Sequence, residues 1–209
     1  FFSNFKGGSN IGFYFTEDIA GLGFNTGDAF VQEVMTNIER QQMGVELGIE
    51  AQVTPTIKLK AAGSLGQFTY NNNPNIYLTS IDFDAPVTFG NGTTNLKDVH
   101  ISAGPERAFQ LGFEYRDPDF WNIGVTANHF SNAYISPSAL ARSANFTTDF
   151  DGQPFADYNE DVARELLKQE QFDDYMLVNI VGGKSWKIDD YFVGFFATIN
   201  NVFNEDYRT

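Results

Sequence analysis

The sequence predicts an all-β protein, namely an antiparallel transmembrane β-barrel present in part, with long extracellular loops and one short loop helix. Three pairs of alternating segments are each joined by a tight turn, and long loops at 71–104 and 132–172 separate the pairs. Tight turns on one rim and long loops on the other are typical of an outer-membrane barrel, in which the tight turns face the periplasm. The segments also exceed the usual strand length of about 5–6 residues.

Composition agrees with a barrel wall and excludes several other classes. Phe supplies 22 of 209 residues, whereas charged residues make up 19%, below the roughly 25% of soluble domains. The sequence contains no run of about 18 apolar residues, which is the length that a membrane-spanning helix needs. Cysteine is absent, which excludes disulfides and thiolate metal sites. The net charge of -14 argues against nucleic acid as a partner, because phosphate binding needs a basic surface.

Residues 1–38 lack a clear pattern, so we expect mostly loop with a candidate strand over 11–15. The first pair follows at 41–53 and 57–70, around Thr54-Pro55. Its odd positions are mostly apolar. The even positions carry Glu46 and Glu50 in the first segment and Lys58 and Lys60 in the second, as expected of one apolar and one wet face. The alternation slips by one near Phe68 and Tyr70, which predicts a bulge near Gly66 and aromatics at a membrane interface.

The second and third pairs repeat the arrangement. The second spans 109–116 and 121–130 around Asp117-Pro118-Asp119, and the third spans 175–188 and 191–202 around Asp189-Asp190. Each turn has aromatics beside it, and aromatics are typical of a membrane interface. These aromatics are Tyr115, Trp121, Trp186 and Tyr191. Phe192 and Phe196 are apolar exceptions on the polar parity of the last segment.

The second long loop contains one predicted helix. Asp157 and Glu160 have capping-box spacing. An apolar stripe follows at Val162, Ala163, Leu166 and Leu167, and Glu165 with Lys168 forms an i,i+3 pair. We interpret it as a loop helix.

A charged set on the even parity of the first two pairs is expected to face the barrel lumen and to pair across strands. It comprises Glu46, Glu50, Lys58, Lys60, Glu114 and Arg116. A polar lumen wall is the ordinary role for such residues.

No residue pattern indicates catalysis, a cofactor or a bound metal, so the predicted catalytic, cofactor-binding and metal residues are none. The spacing of His100 and His129 suits neither a helical zinc pair nor a finger. The acidic pairs in the loops lack the downstream glutamate of a calcium loop, and Ser64 lacks the strand-turn-helix context of a nucleophile elbow. Those acidic pairs are Asp149 with Asp151 and Asp82 with Asp84, and two glycosylation sequons begin at Asn91 and Asn145.

Four segments resemble the late barrel of TonB-dependent receptors from Bacteroidetes. They are 104–121 (GPERAFQLGFEYRDPDFW), 166–175 (LLKQEQFDDY), 182–188 (GGKSWKI) and 200–207 (NNVFNEDY), and the resemblance covers about residues 39–209. It implies a barrel of about 22 strands, an N-terminal plug and energy supplied by TonB. Residues 1–209 are then the C-terminal part of the barrel domain, with about six or seven strands, and both chain ends look like cuts. The plug and the closing strands are expected outside this chain.

The resemblance implies a receptor that takes up an unidentified solute actively through the outer membrane of a Gram-negative bacterium. Its expected partners are outer-membrane lipids and TonB, with a surface lipoprotein or other outer-membrane subunits as further partners. The long loops are the expected place of substrate contact, although no individual binding residue is predicted. The alternatives are a structural barrel subunit of an outer-membrane complex, a passive porin, an outer-membrane enzyme and a soluble β-sandwich. An enzyme needs a nucleophile–base pair, and none is recognisable.

Overall fold

A computed structural model describes residues 1–16, 29–148 and 153–207, and these residues form an antiparallel β-sheet. Its eight strands are β1 (Phe2–Thr16), β2 (Ala29–Gln52), β3 (Ile57–Tyr70), β4 (Asn75–Thr79), β5 (Arg107–Arg116), β6 (Trp121–Ser131), β7 (Tyr175–Ile188) and β8 (Tyr191–Ile199). One α-helix, α1 (Glu160–Leu166), and two short 3₁₀ turns, Leu140–Arg142 and Ala144–Phe146, lie in the connections. The predicted all-β class is therefore confirmed.

The strands follow the order β1-β2-β3-β5-β6-β7-β8, and β4 pairs with the first part of β2. Tight turns join β2 to β3, β5 to β6 and β7 to β8, so antiparallel pairing places all three at one edge of the sheet, the turn edge. The long connections emerge at the opposite edge, the loop edge. Within the described residues β1 and β8 do not pair, so the closed barrel and its strand number stay predictions.

The three predicted strand pairs are confirmed, and β3 and β7 have the predicted bounds. β2 and β5 begin earlier than predicted, at Ala29 and Arg107, and β8 is shorter, because it ends at Ile199 rather than at 202. Asn201 has a positive φ of 52°, and its side chain bonds both the N–H and the C=O of Glu205 at 2.9 Å. This local ring of hydrogen bonds turns the chain away from the sheet.

Residues 17–28 lie outside the described residues. For the rest of residues 1–38, the prediction of mostly loop was wrong, since β1 and the first half of β2 lie there, although the candidate strand over 11–15 is confirmed as part of β1. The register between β1 and β2 shifts between Phe5 and Gly8 and again between Gly8 and Asn10. Gly7 and Asn37 have positive φ angles of 70° and 55°. Such bulges interrupt the two-residue alternation on which strand prediction depends.

The first long loop is also more ordered than predicted, because β4 continues the pairing that β3 makes along β2. Asn72 fills the gap between the two ladders. Its Oδ1 accepts from the N–H of Glu39 at 2.9 Å and its Nδ2 donates to the C=O of Asn37 at 2.7 Å. The amide side chain thus replaces the hydrogen bonds that an unbroken strand would make.

The predicted bulge near Gly66 is absent, since β2 and β3 pair without interruption from Arg40–Tyr70 to Gln52–Lys58. Phe68 and Tyr70 therefore lie on the same face of the sheet as the other even-numbered residues of β3, and not on the face of its odd-numbered residues. Tyr70 is buried in a cluster under the long connections, and Phe68 packs against it. Packing by the loops, rather than a register change, explains the two aromatics.

The register gives the sheet two chemically different faces. From the second half of β2 to β6, odd-numbered residues share one face. Even-numbered residues take this face in the first half of β2 and in β7, and odd-numbered residues take it again in β8. We call this the apolar face, and its exposed large hydrophobics include Val45, Leu47, Ile49, Leu65, Phe109, Leu111, Phe113, Ile123, Met176, Trp186, Val193, Phe195 and Ile199. The opposite, polar face carries the predicted charged set.

The buried hydrophobic core lies at the loop edge, where the connections pack over the polar face. One cluster joins Met35 and Ile38 of β2 to Leu96 and Ile101 of the first long connection and to Ala139 of the second. A second cluster consists of Val31, Leu78, Val87 and Phe89. The bulge at Asn37 turns Met35 to the same side as Ile38, so both strand halves contribute to this cover.

The predicted loop helix exists, but its details differ. Asn159, rather than Asp157, caps α1, and its side chain accepts from the N–H groups of Asp161 and Val162. Of the predicted stripe, Ala163 is buried, whereas Val162 and Leu166 are exposed. The ion pairs of this helix join Arg164 to Glu160 and Asp161. No helix in the described ranges is long and apolar enough to cross a membrane.

Candidate functional site

The charged set on the polar face forms a ladder of ion pairs across β2, β3 and β5. The Lys58 ammonium lies 2.6 Å from Glu50, and the Lys60 ammonium lies 3.1 Å from Glu114 and 3.9 Å from the second oxygen of Glu50. Arg116 also pairs with Glu114. The predicted cross-strand pairing is thus confirmed for four of the six residues, because Arg116 pairs with Glu114 within the same strand, β5.

Aromatic residues line the turn edge of the apolar face. The rings of Tyr115 and Trp121 lie 4.9 Å apart, and the register places Trp186 and Tyr191 on the same face. Lys184 interrupts the apolar surface near this edge, and its ammonium reaches the C=O of Asp119 at 2.6 Å. The long side chain therefore carries its charge out of the apolar surface to the turn.

Asp117 organises the turn between β5 and β6. Its carboxylate accepts from the Tyr115 hydroxyl at 2.7 Å and from the N–H of Asp119 at 2.9 Å. The hydrogen bond from Tyr115, followed by that from Asp119, holds the pKa of Asp117 below its usual value. The turn therefore fixes the position of an aromatic pair beside it.

At the loop edge, Glu106 ties the two long connections to the sheet. Its side chain is 3% exposed, and one carboxylate oxygen accepts from the N–H of Phe68 at 2.7 Å and lies 2.8 Å from Nδ1 of His100. Its own N–H donates to Asn132 at the start of the second connection. His100 stacks on Tyr134 with ring centroids 3.8 Å apart. Burial first, and then the Glu106 charge, raise the pKa of Tyr134.

Two more residues hold the connections together. Gln169 accepts from the N–H of His100 at 2.9 Å and donates to the C=O groups of His100 and Ile135. The fully buried Thr94 donates its hydroxyl to the C=O of Ala139 at 2.6 Å. The two loops therefore form one interlocked cover.

Two adjoining clefts open in this cover, and we call them together the loop-edge groove. The first has a volume of about 830 Å³ and lies between residues 134–142 and 165–171. The second, of about 620 Å³, lies between residues 170–175 and 205–207. Ile135, Glu170 and Gln171 line both clefts. Arg142 and Leu167 both line the first cleft, and the guanidinium of Arg142 donates to the C=O of Leu167. Burial lowers the pKa of this guanidinium.

The other residues considered from the sequence lie apart from this groove. His129 is on β6 beside Phe109, and Ser64 lies in β3 opposite Glu46 and Ala108. Asp82 receives a hydrogen bond from Ser80. The remaining candidates have no shared centre: Asp84 and Asn91 are exposed, Asn145 lies in a 3₁₀ turn, and Asp149 and Asp151 fall outside the described residues. In the part of the chain that is described, no group of acidic or imidazole side chains is arranged to hold a metal ion.

Sequence reasoning missed the residues that organise the loop edge. Glu106 and Gln169 hydrogen-bond across separations of 38 and 69 residues, and Thr94 reaches 45 residues along the chain. Local periodicity carries no signal for such pairs.

Comparison of the chain with protein-family models, with curated proteins and with solved structures found no match.

Proposed function

We propose that the chain is part of the wall of an outer-membrane β-barrel, belonging to a TonB-dependent receptor that imports a solute into a Gram-negative bacterium. The observation that carries the membrane location is the apolar face, which continues across β2 to β8 with most of its large side chains exposed. Soluble monomers rarely expose more than a few hundred Å² of contiguous apolar surface. A lipid environment removes this surface from water, which stabilises the protein by about 25 cal/mol for each Å² of apolar surface that is buried.

The aromatic row and the loop edge support the same orientation. Tyr and Trp prefer the boundary between hydrocarbon and water, and here they lie beside the tight turns, which outer-membrane barrels direct to the periplasm. The polar face then lines the interior, and the interlocked connections cover it on the extracellular side. Solute capture is assigned to those connections.

The transport activity and the requirement for TonB rest on the resemblance of the four sequence segments. The ion-pair ladder on the polar face is compatible with a water-filled or plug-filled interior. The alternative of a structural subunit is favoured by a different observation, the rigid loop cover, in which buried hydrogen bonds connect distant segments. Such a cover is suited to holding a fixed shape for a partner.

Cysteine labelling tests the location and orientation, because residues 1–209 contain no cysteine that would give background labelling. Lys97→Cys places a thiol at the loop edge and Asp190→Cys places one at the turn edge, both at exposed positions. A membrane-impermeant maleimide should label Lys97→Cys in intact cells and Asp190→Cys only after the outer membrane is opened. Equal labelling of both positions in intact cells would contradict the proposed orientation. Recovery of both variants in the soluble fraction would contradict the membrane location.

Uptake is tested separately by deleting the gene and measuring which solutes the cells remove from a defined medium. A receptor should leave one class of solute unconsumed, and a strain without TonB should show the same defect. Unchanged consumption would contradict the proposed transport activity and favour the alternative of a structural subunit.

A further inference from the structure

The loop-edge groove combines exposed apolar side chains with a surplus of negative charge. Leu166 is 69% exposed and Ile135 is 38% exposed, and both line the first cleft. Among the described residues of the two clefts, six carboxylates face two cations. The carboxylates are Glu165, Glu170, Asp173, Asp174, Glu205 and Asp206, and the cations are Arg142 and Lys168.

These carboxylates are available to a partner. None takes part in the ion pairs found in the described ranges, which lie on the polar face, at His100 and within α1. The second cleft is lined by five of the six and by no Lys or Arg among its described residues. Tyr175 and Tyr207 stack beside them with ring centroids 5.3 Å apart. An apolar end and an acidic end are thus joined at Ile135 and Glu170.

The negative charge of the groove excludes several classes of binding partner. A second copy of this chain carries a net charge of -14 and is repelled by an acidic groove. Phosphate groups of nucleic acids or anionic lipids are repelled for the same reason. A polypeptide with Lys or Arg next to apolar side chains matches both ends of the groove, and such complementarity increases both specificity and the rate of association.

We propose that the loop-edge groove is the docking surface for a basic, apolar segment of a second protein. An apolar side chain of that segment packs against Ile135 and Leu166, and its cations lie near Asp173, Asp174 and Asp206. This inference goes beyond the proposed transport function and does not depend on it, since it concerns only the surface of the loop cover.

A synthetic peptide of alternating Leu and Lys is the probe, and its binding to the purified full chain in a non-ionic detergent is measured by fluorescence anisotropy. Binding should weaken at least tenfold when Asp173, Asp174 and Asp206 are all changed to Asn, and again on raising the salt from about 50 to 300 mM, because mobile ions screen exposed charges. A peptide with Glu in place of Lys should not bind. Leu166→Ser should weaken the binding of the Leu–Lys peptide, whereas a Gly–Lys peptide should bind both forms equally poorly.

The matched controls use exposed positions outside the groove. Asp84→Asn, Asp98→Asn and Asp190→Asn together remove the same charge, and Ile81→Ser removes an apolar side chain that is 99% exposed. Both controls should leave the affinity unchanged, and circular dichroism checks that all variants are folded. An equal loss in the control triple variant would show general charge attraction and overturn the proposal, as would an unaltered affinity of Leu166→Ser.

Photo-crosslinking in cells distinguishes a partner protein from a free peptide. A photoreactive amino acid at Leu166 should give an adduct larger than the chain by the mass of a protein, and the groove triple variant should abolish it. The same amino acid at Ile81 should give no such adduct. Identical adducts at both positions, or only peptide-sized adducts at Leu166, would overturn docking of a second protein.

Discussion

At the turn edge, the hydroxyl of Tyr115 donates to the carboxylate of Asp117, and this contact connects Tyr115 of the aromatic row to the turn. It favours the ionised carboxylate and therefore lowers the pKa of Asp117. Because the pKa of Asp117 is lower in the folded state, the carboxylate stabilises the fold fully when the pH is above its unfolded-state pKa of about 3.9. This stabilisation is lost as the pH falls through the folded-state pKa.

Tyr115→Phe should therefore raise the pKa of Asp117 towards its ordinary value, because the largest cause of the shift is removed. Carboxyl carbon chemical shifts followed by NMR between pH 2 and 6 measure this change. The N–H of Asp119 still donates to Asp117, so part of the shift should remain. An identical titration of Asp117 in both proteins would show that the hydroxyl contact does not form.

Glu106→Ala tests the residue that anchors both connections. It leaves the part-buried N–H of Phe68 without its side-chain acceptor, and the loss of an acceptor for a fully buried donor costs about 1–3 kcal/mol. We expect a loss of that size in the free energy of unfolding, measured with denaturant in detergent micelles. Glu106→Gln retains an acceptor oxygen and should lose less. Glu165→Gln, on the exposed helix, should change nothing; a comparable loss there would assign the effect to charge rather than to the buried contact.

At the scale of elements, β5 separates the two faces between adjacent residues. Leu111 is 68% exposed on the apolar face, and Gln110 lies on the polar face, where it donates to Asn128 at 2.9 Å. A charge on a lipid-facing strand position costs about 2–4 kcal/mol near the bilayer centre. A charge on the interior face remains hydrated.

Leu111→Arg should therefore lower the free energy of unfolding in lipid vesicles by about 2–4 kcal/mol. Gln110→Arg adds the same charge and should lose at most about 1 kcal/mol, for one exposed hydrogen bond. Guanidinium unfolding in vesicles measures both. Equal losses would mean that the two faces meet the same environment, which the proposed membrane location does not allow.

Elements with regular alternation were predictable, and those with bulges were not. β3 and β7 have the predicted bounds because nothing interrupts their pairing with β2 and β6. The first half of β2 and the part of β1 outside the predicted strand 11–15 were missed, because Asn37 and Gly7 adopt positive φ and shift the register. After a bulge, the apolar residues move from odd-numbered to even-numbered positions or the reverse. The alternation is then broken, and the sequence pattern no longer predicts a strand.

At the scale of the whole molecule, the two long connections should open and close together. Thr94 links them through a buried hydrogen bond, and the N–H of Asn95 donates to Arg142 beside it at 2.9 Å. Thr94→Val removes a hydrogen bond worth about 1 kcal/mol. The amides of both connections, namely Asn95 and His100 in the first and Ile135 and Arg142 in the second, should therefore exchange several-fold faster with deuterium. Their mass-spectrometric exchange rates measure this.

Thr93→Val is the matched control, because that hydroxyl bonds only to the side chain of the nearby Asn91. Faster exchange confined to the first connection in Thr94→Val would show that the two connections move independently, contrary to the interlocked cover.

The sequence by itself determined the strand pairs, the tight turns and the chemistry of the two faces. These features depend on neighbouring residues and on an alternation with a period of two, so the local sequence is enough to predict them. Only the tertiary structure decided that Phe68 and Tyr70 belong to a covered core, that β4 extends the sheet, and that Glu106, Thr94 and Gln169 join the loops. Those contacts connect residues far apart in the chain, and their geometry exists only after the loops fold back over the polar face.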